Sequence, residues 1–168
     1  MTPSRPDVWW AALSAAHQAS WRLVIAVSAV VALPGSVICI IGVAVSGADV
    51  LVPMILALVL VSLSPFVHEL GHVTVQVVLA DAARQVVAGR GTWSSGAVLR
   101  WGLDVHGDGA VAIAGPLAAL GCGVVVLALP VPFVLSGPVA ALSWVHLRSL
   151  RRTAPDGVQV RRAIRARY

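Results

Sequence analysis

Residues 50–80 read VLVPMILALVLVSLSPFVHELGHVTVQVVLA, an apolar run whose only ionisable side chains are His68, Glu69 and His72. The run is longer than the roughly 20 residues a bilayer-spanning helix needs. An ionisable side chain in the middle of such a helix costs at least ~2.5 kcal/mol. Two expectations follow: the chain crosses a membrane here, and the three polar side chains have a partner that offsets their burial.

The rest of the sequence agrees with the first expectation. Of 168 residues, 58% are apolar and 11% charged, too little polar surface to cover a water-soluble domain of this size. Further apolar blocks lie at about 23–46, 110–129 and 133–147, and no internal repeat relates them. The predicted fold is an all-α membrane protein: one integral membrane domain, a bundle of about four transmembrane helices. Pro34-Gly35 is expected to kink the first span, Gly47-Ala48-Asp49 to turn the chain, and Val131 to sit in a tight turn between Pro130 and Pro132. Pro65 removes one helical hydrogen bond and frees the carbonyl of Val61, three residues before His68. The polar loop 81–107 carries a period-2 alternation from Leu99 to His106. With turn residues at Gly89-Arg90-Gly91 and Ser94-Ser95-Gly96, this predicts a small hairpin with Arg84 to Ala88 as partner.

Charge is distributed as a topology signal. There is no lysine, and seven of the twelve arginines lie between Arg148 and Arg167. With four spans, every arginine falls on one side, which predicts N- and C-termini in the cytoplasm of a multi-pass cell-membrane protein. This pattern argues against a nucleic-acid partner despite the net charge of +5. Within the basic 148–168 tail, the run from Arg161 to Arg167 is expected on anionic lipid headgroups. Trp9, Trp10, Trp21, Trp93, Trp101 and Trp144 are expected as interface anchors, Cys39 and Cys122 as packing residues, and His17 as a solvated side chain. The first span reads as an uncleaved helix rather than a signal peptide.

The chemistry is concentrated in His68-Glu69-Leu70-Gly71-His72. A spacing of four sets both imidazoles on one helical face, where they can share one metal ion. Glu69 is the only glutamate in the chain and is placed to take a proton from a water activated by zinc. A hydrolytic zinc site takes three protein ligands, and the sequence offers Asp156, His106, His146, Asp104 and Asp108 for the third. Read on its own, Asp156 between Pro155 and Gly157 is either that ligand or a turn and N-cap ahead of a helix from Val158 to Ala166. The alternation at Leu99–His106 has two readings as well: an edge that pairs with an extended peptide, or a hairpin that only packs on the helices.

The run from Val67 to His72 resembles the helix motif of the site-2 protease family of intramembrane zinc metallopeptidases, including the glycine before the second histidine. Ala114-Gly115-Pro116-Leu117-Ala118 is similar to that family's Gly-Pro helix start, and Pro155-Asp156-Gly157 to its Asp-Gly element. The resemblance covers about 62–163. It implies Zn2+ held by His68, His72 and Asp156, with Glu69 as catalytic base, and a membrane-embedded peptide or protein as substrate. The chain departs from the family at Ala119, where an asparagine is frequent, and at His146-Leu147-Arg148-Ser149, where an Asn-Leu-x-Pro-like run is usual. The expected function is zinc-dependent intramembrane endopeptidase. The alternatives are a catalytically inactive relative acting as regulator or scaffold, and a membrane carrier of ions or metal.

Overall fold

The computed structural model describes residues 5–81 and 86–166. Helix α1 (Arg5–Ser46) leads through Gly47 and a single 3-10 turn (Ala48–Val50) into α2 (Leu51–Leu79). A hairpin of β1 (Val86–Gly91) and β2 (Gly96–Arg100) follows, then α3 (Val105–Ala128), α4 (Phe133–Ser143), a 3-10 helix (Trp144–Leu150) and α5 (Pro155–Arg165). Three helices, Pro6–Ser46, Ala48–Leu79 and Val105–Ala128, are long and apolar enough to cross a membrane. The protein is thus a helical membrane bundle with one small antiparallel hairpin, as its composition predicts.

α2 is the central element, packed on α1, α3 and α4. Its first half buries Met54, Ala57 and Val61, with Val126, Val139 and Ala140 completing one cluster and Cys39 and Val50 another. Its second half carries the site. Gly47 turns the chain between α1 and α2 with φ of 87°, a left-handed conformation that glycine adopts without steric cost.

Several expectations are corrected. The first apolar block, about 23–46, is the second part of a longer helix: α1 begins at Arg5, and its 42 residues reach about 63 Å, twice a bilayer core. The added turns bury a face of Ala12, Ala15, Ala16, Ala19 and Ser20, small side chains on which the hairpin lies. The fourth apolar block is an 11-residue α-helix continued by a seven-residue 3-10 helix, together about 30 Å by the usual rise of each.

The strand is earlier than its alternation suggests. β2 ends at Arg100 because Asp104 accepts a hydrogen bond from the Gly107 amide (2.6 Å) and N-caps α3, which takes Val105 and His106 into a helix. Gly89–Gly91 lies within β1, paired in register with Gly96–Val98, and the turn is built by the Thr92 hydroxyl accepting from the Ser95 amide (3.0 Å). Val86 and Ala88 pair as expected, whereas Arg84 lies outside the described residues. The Gly115-Pro116 pair is inside α3 rather than at its start. All six tryptophans are exposed, His17 is exposed, and both cysteines are buried and free.

Candidate metal centre

The site begins with the backbone defect at Pro65. Proline has no amide hydrogen, so the Val61 carbonyl loses its helical partner. The Ser64 hydroxyl donates to that carbonyl instead (2.7 Å). Its single hydrogen is thereby used, so its contact with His146 Nε2 at 3.0 Å makes that nitrogen the donor. His146 is thus held with its ring 4.9 Å from that of His68 and its Nε2 engaged by Ser64.

One turn further along α2, His68 and His72 bring their Nε2 atoms to 3.1 Å. The His72 Nδ1–H donates to the Val111 carbonyl of α3 (2.7 Å), which fixes its tautomer and leaves the Nε2 lone pair facing His68. A close helix crossing permits this. A β-carbon on Gly71 would stand 2.6 Å from the Ala114 carbonyl oxygen, and one on Gly115 would enter the His72 ring. Small residues at both positions let α2 and α3 approach closely, as is common where membrane helices cross.

Asp156 completes the group. α5 is N-capped by Ala154, with no side-chain cap, so the N-cap reading of Asp156 does not hold. Its Oδ2 lies 3.8 Å from His68 Nε2 and 3.7 Å from His72 Nε2, with the three side chains 21%, 10% and 11% exposed. The other sequence candidates are elsewhere engaged. Asp104 caps α3, Asp108 pairs with Arg100 at 2.5 Å and accepts from the Leu103 amide, and His106 is exposed on the first turn of α3.

The three donors fit a tetrahedral ion. Ligand bonds of about 2.1 Å at tetrahedral angles separate donor atoms by ~3.4 Å, and the observed 3.1, 3.7 and 3.8 Å bracket that value. Charge fits as well. Glu69 is 6% exposed, and among the described residues no arginine pairs with it or with Asp156. One divalent ion would balance two ionised carboxylates that have no cationic side chain beside them.

The donors open into a cavity of about 460 Å³ lined also by Glu69, β2 from Gly96 to Arg100, Val111, Ser149 and Gln159. β2 is held there by a polar network. Arg100 donates to Asp108 and to Gln76 Oε1 (3.2 Å), while Gln76 Nε2 donates to the Trp101 carbonyl (3.2 Å). Gln76 is fully buried. A signal for it exists in the sequence: Ser64, His68, His72 and Gln76 recur at intervals of four and form one polar stripe on an apolar helix. Ser149, from the far end of the 3-10 helix, has no such signal.

Neither a protein-family model, nor a curated protein, nor a solved structure matches this chain.

Proposed function

We propose that the chain is a zinc-dependent intramembrane endopeptidase. The observation that carries this reading is the meeting of His68, His72 and Asp156 donor atoms within 4.8 Å of one another, beside the buried Glu69 carboxylate and a cavity. His68, His72 and Asp156 would hold the ion, which supplies Lewis acidity to the attacking water and the scissile carbonyl. Glu69 accepts the proton of that water and returns it to the leaving amine. Val111 and Gly115 keep His72 in its orientation. β2 lines the cavity, and its edge not paired with β1 would offer backbone groups to an extended peptide. The cut then falls at the depth of the α2 second half, on the side of the membrane that carries the arginine-rich tail.

A metal-holding relative without hydrolysis is the second reading, favoured by Ala119, which is fully buried and carries no polar group. One experiment addresses both. Zinc is measured in detergent-purified wild type, His68→Ala, Asp156→Ala and Glu69→Gln, followed by hydrolysis of quenched membrane peptides. About one zinc per chain, lost in the two ligand variants and kept in Glu69→Gln, supports the metal centre. Hydrolysis by wild type but not Glu69→Gln supports the peptidase. Wild type without zinc after supplementation overturns both readings.

A further inference from the structure

A second, smaller cavity of about 190 Å³ adjoins the first, lined by Leu23 of α1, Pro65 of α2, Ser95 of the hairpin turn, and Val145 and His146 of the 3-10 helix. Four residues line both cavities: His68, Glu69, Gly96 and Ser149. Three buried side-chain atoms have no hydrogen-bond partner among the described residues: His68 Nδ1, Glu69 Oε2 and Ser149 Oγ. All three belong to residues that line both cavities, and the boundary these residues share is termed the neck.

Buried polar atoms without a protein partner are as a rule satisfied by ordered water, which needs a polar space and two to four partners. The neck supplies both. The two metal-facing histidines also differ in a way that water would remedy. His72 has the Val111 carbonyl on its Nδ1, whereas the corresponding atom of His68 has nothing among the described residues. With Nε2 turned to the ion, His68 carries its hydrogen on Nδ1 and needs an acceptor.

We infer that the neck binds ordered water joining His68 Nδ1–H, Ser149 Oγ and Glu69 Oε2, and that Ser149 is through this water a positioning residue for the metal ligand His68. The water accepts from His68 and from the Ser149 hydroxyl and donates to Glu69, so each orphaned atom is satisfied once. The second cavity then supplies this water from the 3-10 helix side, while the first cavity remains open to peptide along β2. The inference rests on the metal-centre reading in assigning Nε2 of His68 to an ion; the presence of water in the neck does not.

The test compares Ser149→Val with Ser149→Thr in the full-length purified protein. The two side chains share a shape and differ in the hydroxyl. In the first arm, metal-free protein is mixed rapidly with H2(18)O and exposed to a radiolytic pulse, and 18-oxygen incorporation is read at His68 and His146 by mass spectrometry. Wild type and Ser149→Thr are expected to label at His68, and Ser149→Val several-fold less. In the second arm, Co2+ affinity and the visible Co2+ spectrum are measured. Ser149→Val is expected to bind about tenfold more weakly, within the range that loss of an outer-shell partner costs, with Ser149→Thr restoring both affinity and spectrum. Equal His68 labelling in the Val and Thr variants, or no labelling in wild type, overturns the bound water. Unchanged Co2+ affinity and spectrum in Ser149→Val overturns the positioning role. Failure of every form, wild type included, to bind Co2+ overturns the metal centre instead, while the first arm still decides the water. Should Ser149→Val not fold, Ser149→Ala takes its place in both arms with the same expected directions.

Discussion

The two halves of α2 share one helix and one apolar surrounding, yet have opposite interiors. From Leu51 to Leu63 the buried side chains are Met54, Ala57 and Val61, which pack in apolar clusters with residues of α1, α3, α4 and the turn at Val50. From Ser64 to Leu79 they include Ser64, His68, Glu69 and Gln76, and the partners are a carbonyl, an imidazole, an arginine-held strand and a carboxylate from α5. The division falls at Pro65, where the helical hydrogen-bond ladder is interrupted. Dispersion and close packing hold the first half together. The second half is a polar network, in which removing one member leaves its partners buried and unsatisfied.

The largest effect should come from breaking the polar half at its centre. Asp156→Asn or His68→Ala should lower zinc affinity by at least ~100-fold, beyond the upper range of an outer-shell loss, measured by competition with a chelator. Glu69→Gln should leave affinity and stoichiometry unchanged and reduce peptide hydrolysis by about 10²–10⁴-fold, measured as initial rates. Gly115→Ala is a sharper probe, because its new β-carbon enters the His72 ring. It should destabilise the protein by about 1–3 kcal/mol and weaken metal binding in parallel, read together in thermal melts with and without zinc. The smallest effect on the metal belongs to the apolar half. Val61→Ala should cost about 1–3 kcal/mol through the cavity it leaves and keep the full zinc stoichiometry. A Val61→Ala protein that folds yet loses zinc would show that the two halves are not separate.

Much of this was legible in the sequence where the governing interactions are local. The apolar runs give the spans by length alone, and His68 and His72 are paired by helical spacing. The choice among five third ligands was not local. The Asp104 cap on α3 and the Arg100–Asp108 pair are near-neighbour contacts that remove two candidates, but the pairing of Ser64 with His146 and the approach of Asp156 to His68 and His72 join distant segments. The hairpin register failed for a related reason: the alternation from Leu99 to His106 is genuine, but the N-cap at Asp104 claims its second half for a helix. The long α1 was hidden because residues 5–22 are not apolar enough to read as a span, and their buried face of alanines has meaning only with the hairpin against it.

The distribution of ligands over the chain has a mechanical consequence. Two donors come from α2 and the third from α5, which packs chiefly against α3 and the preceding 3-10 helix. A cation held by all three would therefore act as a reversible cross-link that closes the whole loop from His72 to Asp156, including the hairpin, α3 and α4. Like any ligand bound only by the folded form, it would add stability in proportion to the logarithm of its free concentration, about 2.7 kcal/mol at one hundred times its dissociation constant. The melting temperature of the protein would then report the free zinc around it.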